Sequence, residues 1–186
     1  MKYLFLTIFY VFFFNVFESS AQAPNKEEQE ARELFAKGNE AFKNGKYKLA
    51  TDFFSKSISK APNKPAIYFN RGSSYALLKD YLKAIRDFTK TIELSPKHFD
   101  AYNNRGLAYY DIRQFDKALS DFNRSLEIDS NFVIAMVNKG ITLEYVQRYT
   151  EALSEYEKAL SILEEDRPEV PMIQELIRKV NLKIKK

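Results

Sequence analysis

Four of the five glycines in this 186-residue chain stand 34 residues apart, at Gly38, Gly72, Gly106 and Gly140. The same step relates Ala50, Ala84, Ala118 and Ala152, and it relates the aromatics Phe54, Phe88, Phe122 and Tyr156. Tyr47, Tyr81, Phe115 and Tyr149 form another such column. Small residues recur at Ser57, Thr91, Ser125 and Ala159, and aliphatic ones at Ile58, Ile92, Leu126 and Leu160. Columns held over four copies with no insertion mean one supersecondary unit repeated, each copy burying its apolar face against the next. The units fall at 31–64, 65–98, 99–132 and 133–166.

Each unit reads as two helices. In the second, Tyr68, Gly72 and Tyr75 share one helical face, Lys79-Asp80 breaks the pattern, and Tyr81, Ala84, Ile85, Phe88 and Ile92 make a second stripe. Pro96 then stops the second helix. Gly72 and Ala84 are small where two antiparallel helices must approach closely, with large aromatics beside them. A mid-helix glycine costs about 1 kcal/mol relative to alanine, so its recurrence points to close packing. After the fourth unit, Glu164 to Pro168 interrupts the chain. Ile173, Leu176, Ile177, Val180 and Ile184 then recur at helical spacing, with Gln174, Glu175, Arg178, Lys179 and Lys183 opposite. A terminal repeat leaves an apolar face open, and an amphipathic helix over 167–186 is the expected cap.

This pattern resembles the tetratricopeptide repeat family, whose large, small, aromatic and proline positions are met in the second unit by Tyr68, Gly72, Tyr75, Ala84, Phe88, Thr91 and Pro96. The match covers 31 to about 164. It departs at Ala41, where an aromatic is usual, and at Ser130 and Glu164, which replace the prolines Pro62 and Pro96. The resemblance implies an all-α fold: a right-handed α-solenoid of four helical hairpins plus a C-terminal capping helix. It also implies that the first helices line a concave surface that binds a peptide or partner segment. On that surface the sixth residue of each unit gives Asn70, Asn104 and Asn138, after Ala36 in the first, and Asn39 stands nearby. An asparagine amide offers the donors and acceptor of a peptide unit, so a ladder of them can hold an extended backbone without reading its side chains. The same amides can instead bond to the neighbouring helix or to water. Phe35, Phe69, Tyr110 and Tyr145 would add apolar contact or belong to the solenoid core.

A second mode of the family, a clamp on a chaperone's C-terminal carboxylates, needs cations where this chain has Phe35, Asp100 and Asn104. Only Asn39 and Asn70 match it, so that mode is rejected. Lys37, Arg71, Arg105 and Lys139 form a cationic column, which could attract an anionic ligand. Asp87, Asp121 and Glu155 follow the last three by 16 residues. The expectation is three surface ion pairs within hairpins, worth at most about 1 kcal/mol each, leaving no nucleic-acid face.

Ahead of the repeats stand Met1-Lys2, an apolar run from Leu4 to Phe17 and the small-residue pattern Ala21-Gln22-Ala23. Together these describe an export signal over 1–23 with cleavage after Ala23, followed by a leader over 24–30. The run falls short of the roughly 20 residues that span a bilayer, so no membrane insertion is expected once it is removed. The alternative is tethering through an uncleaved segment. The chain has no cysteine and a single histidine, His98, expected on the surface of a turn. Neither a metal cluster nor a nucleophile motif is present in the sequence. The expectation is therefore a non-catalytic, cofactor-free scaffold in an exported compartment that binds a protein or peptide. Self-association, or service as an accessory subunit of an envelope or membrane-anchored complex, is the alternative.

Overall fold

The computed structural model describes residues 26–185; the reading of 1–23 as a cleaved export signal lies outside them. Among the described residues there are helices and no strands: α1 (Lys26–Lys43), α2 (Tyr47–Lys60), α3 (Pro65–Leu77), α4 (Tyr81–Leu94), α5 (Phe99–Asp111), α6 (Phe115–Ile128), α7 (Val133–Tyr145), α8 (Tyr149–Ile162) and α9 (Val170–Ile184). Each helix packs on its sequence neighbours, and α1, α3, α5 and α7 also touch one another in series. The result is a right-handed α-solenoid of four hairpins, with α9 docked on α8. Helix α1 starts at Lys26, inside the stretch expected to be a leader. Glu27 and Glu28 sit in its first turn, favourable against the helix dipole.

The periodic residues lock each hairpin. A side chain on Gly38 would put its Cβ 2.5 Å from the Phe54 ring. The corresponding separations are 3.0 Å for Gly72 and Phe88, 2.8 Å for Gly106 and Phe122, and 2.4 Å for Gly140 and Tyr156. Each of these rings is fully buried, so the glycine column exists to seat the ring column sixteen residues on. Beside it, Ser57 Oγ donates to the Ala31 carbonyl at 2.7 Å and Ser125 Oγ to the Phe99 carbonyl at 3.0 Å. In the first and third hairpins these bonds tie the end of the second helix to the start of the first.

Within each hairpin the turn is the same. The Asp80 amide donates to the Tyr75 carbonyl and the Lys79 amide to the Ala76 carbonyl, both at 2.9 Å. This is a Schellman closure, and it needs one residue at positive φ. That residue is Gly45, Lys79, Arg113 or Gln147, with φ between 61° and 71°. Only the first is a glycine, so three of the turns hold a side chain in the left-handed region.

The three expected ion pairs form. Arg71 grips Asp87 with two bonds of 2.7 and 2.8 Å, Arg105 grips Asp121 likewise, and Lys139 meets Glu155 at 3.0 Å. They are not the surface pairs that the sequence suggests, because the three carboxylate side chains are only 7–8% exposed. Each arginine also reaches back one hairpin, Arg71 to Ser55 Oγ and Arg105 to Thr89 Oγ1, both at 3.0 Å. Its guanidinium lies against two tyrosines, Tyr68 and Tyr75 for Arg71, Tyr102 and Tyr109 for Arg105. The outer hairpins lack this cluster. Met136 and Leu143 stand in the fourth hairpin where the third has its tyrosines, and Phe53 stands in the first where the acid would be.

Candidate binding groove

The second, sixth, ninth and thirteenth residues of each repeat unit share one stripe on its first helix, spaced four, three and four apart. Along that stripe the ends are open and the middle is half-buried in nearly every hairpin. Leu77, Ile134 and Tyr145 are 52%, 57% and 48% exposed on it. A cleft of about 330 Å³ opens between α3 and α5, floored by Ala76, Leu107 and Ala108 and edged by Ser73, Asn104 and Asp111. An open face with an apolar floor and polar edges can accept a polypeptide segment.

The asparagines of the stripe are half-buried and bond to one another across hairpins. Asn70 Nδ2 donates to Asn39 Oδ1 at 2.7 Å. Asn138 Nδ2 donates to Asn103 Oδ1 at 3.0 Å, and Asn103 Nδ2 donates to Asn104 Oδ1 at 3.0 Å. Each of Asn39, Asn70, Asn104 and Asn138 thus spends one group on a neighbour and keeps others with no partner among the described residues. Asn103 is the member that sequence reasoning missed. It is 3% exposed and links the third and fourth hairpins from beneath. Its signal was an Asn-Asn pair, Asn103-Asn104, where the other hairpins carry a large apolar residue before the sixth position.

Phe35 and Phe69 are half-buried and tilt against the hairpin rings Phe54 and Phe88, each at 5.8 Å between centroids. They support the stripe from below. His98, expected on the surface, is half-buried and stacks on Phe69 at 4.7 Å, because its turn folds back over α3. Tyr110 and Tyr145 come together at 5.9 Å, with Phe115 4.6 Å from Tyr145. Burial, and next the neighbouring Tyr145 and the acids Asp111 and Glu144, push the Tyr110 phenol up. Among the described residues Asp111 has no hydrogen-bonding partner; it is exposed, yet partial desolvation raises its carboxyl above the usual range against the opposing pull of Lys79.

At the far end, Glu144 accepts from the buried Tyr156 hydroxyl at 3.2 Å and pairs with Lys183 of α9 at 2.7 Å. The cap therefore reaches back to the first helix of the fourth hairpin. Ile173 and Val180 are fully buried as expected, whereas Ile184 is 39% exposed, lying beyond the end of the hairpin it covers. Among the described residues no cluster of three acid, histidine or cysteine side chains could hold a metal ion, and no helix is long and apolar enough to cross a membrane.

The family model for the tetratricopeptide repeat matches residues 65–98 and 99–132. A heat shock protein sti1 homolog of Schizosaccharomyces pombe is 44% identical over 57 residues, 31% of this chain and 10% of that protein. The match thus spans about a tenth of that relative's length. The first repeat domain of Spaghetti (RPAP3), solved bound to the HSP90 peptide SRMEEVD, is 31% identical with a TM-score of 0.63, and the alignment covers 64% of this chain and 95% of that one. A crystal structure of MamA, at 23% identity and a TM-score of 0.69 over 80% of this chain and 82% of its own, shares the fold. On its repeats, its geometry and these likenesses, the chain belongs to the tetratricopeptide repeat family.

Proposed function

We propose that this protein is a non-catalytic scaffold that holds an extended segment of another polypeptide on the open stripe of α3, α5 and α7. The observation that carries the reading is the face itself. It presents exposed Leu77, Ile134 and Tyr145 together with asparagine amides that keep donors and acceptors in hand. Backbone groups of a ligand would pair with the amides, and apolar side chains would cover the exposed residues. The relative solved with an acidic-ended chaperone peptide makes peptide binding by such repeats a sound precedent. The same ligand does not suit this chain, because Phe35, Asp100 and Asn104 supply no cation for a carboxylate and Asn39 is already bonded to Asn70.

The test is capture of partners by the full chain and by two variants. One is Asn70→Ala/Asn104→Ala/Asn138→Ala. The other is Leu77→Ser/Ile134→Ser, which leaves no buried group unpaired. A protein held by the wild type and lost by both folded variants supports the groove; equal retention by all three rejects it. Export is part of the same proposal and rests on the signal-like pattern over 1–23, with a protein or peptide partner in that compartment. The mass of the mature N-terminus decides between removal after Ala23 and membrane tethering. Exposed Met172, Leu182 and Ile184 on α9 favour a second reading, self-association or docking into an assembly through the cap. A concentration-dependent increase in mass, abolished by Met172→Ser/Leu182→Ser, would select it.

A further inference from the structure

Resting on the groove reading, the change in character of the open stripe from hairpin to hairpin specifies the chemistry of what lies on it. The open ends of the stripe are Arg32 and Lys43 in the first hairpin and Ala66 and Leu77 in the second. They are Asp100 and Asp111 in the third, and Ile134 and Tyr145 in the fourth. The face therefore runs basic, neutral, acidic and apolar along the array. The acidic step coincides with the cleft between α3 and α5, which Asp111 lines together with Leu77 and Leu107. Among the described residues Asp111 makes no hydrogen bond and no salt bridge, and Lys79 is the cation that acts on it from a distance. Among the described residues Asp100 has His98 Nδ1 at 3.9 Å as its one ion-pair contact. A lysine or arginine fits such a site, since its aliphatic stem covers apolar surface while its head stays at the rim. Neighbouring first helices lie about 10 Å apart, the span of about three extended residues.

We propose that the ligand is an extended polypeptide segment that lays a lysine or arginine on the third hairpin, its stem in the cleft between α3 and α5 and its cation on Asp111. A large apolar side chain about three residues away then rests on Ile134 and Tyr145. An acidic residue about six residues to the other side meets Lys43, since Arg32 is already paired with Glu28 at 3.2 Å. The asparagines hold the backbone, and the charge sequence sets which segment is held and which way it lies.

The experiment pans a display library of random peptides on the immobilised full chain and on its Asp100→Lys/Asp111→Lys variant. Both acids are at least partly open to solvent, so the reversal buries no charge; circular dichroism verifies the fold, and Asp111→Asn serves as the milder variant. The wild type should enrich lysine or arginine about three residues from a large apolar residue. Those peptides should bind the reversed variant at least tenfold more weakly and lose affinity as salt rises. The reversed variant should enrich aspartate or glutamate instead. Pools of the same charge from both proteins overturn the charge proposal. If those peptides are still lost on Asn70→Ala/Asn104→Ala/Asn138→Ala, the groove reading survives; if they bind that variant too, both fall. Failure to recover any peptide, with dimerisation that Asp111→Lys abolishes, would assign the face to a second copy and overturn the proposal.

Discussion

Gly106 is bare because the Phe122 ring occupies the space a side chain would take, 2.8 Å from where its Cβ would stand. Gly106→Leu should therefore cost about 3 kcal/mol in urea denaturation, and it should be strongly non-additive with Phe122→Ala, since both act on one contact. An unchanged midpoint would mean that the ring moves freely. Arg105 holds a buried carboxylate with two bonds and the preceding hairpin with a third. Arg105→Ala strands Asp121 and should cost about 3 kcal/mol, while Arg105→Lys, which keeps the charge but not the fork, should cost less. Asp111 works the other way. Partial desolvation raises its folded carboxyl above the unfolded value, so its contribution is favourable at acid pH and is lost as pH rises through the folded value. Asp111→Asn should then raise the melting temperature slightly at neutral pH and leave it unchanged below the carboxylate range. A fall at neutral pH would show a stabilising partner for Asp111.

At the scale of helices, the shared turn geometry makes a separate prediction. Lys79 sits at φ 61° in the place that Gly45 fills in the first hairpin. Lys79→Gly should stabilise the protein by about 0.5–1 kcal/mol, read as a rise in melting temperature, because the left-handed strain it relieves exceeds the added chain entropy. The hairpins, their order and the cap are legible in the sequence because the period repeats the same contact four times. The ion pairs are legible for the same reason, each acid lying sixteen residues after its base. Their burial is not, since it depends on the tyrosines Tyr68, Tyr75, Tyr102 and Tyr109 folding over the guanidinium from the same helix. Nor is the bonding of the amides legible. Asn103 leaves the period, so no column announces that it ties Asn104 to Asn138. The position of His98 on Phe69 is set by how a turn lies over a neighbouring hairpin, a contact that periodicity leaves open.

The whole molecule is a row of hairpins in which each unit contacts only its neighbours, so stability is shared along the row and the binding face is continuous across it. On the proposed reading the first helices meet the ligand and the second helices serve packing and solvent. Hydrogen–deuterium exchange of the full chain, with and without a captured partner or selected peptide, tests this most directly. The account predicts added protection on α3, α5 and α7, centred on Asn70, Asn104 and Asn138, with α4, α6 and α8 unchanged. Protection confined to the second helices or to α9, with the asparagine stripe exchanging as before, would contradict it.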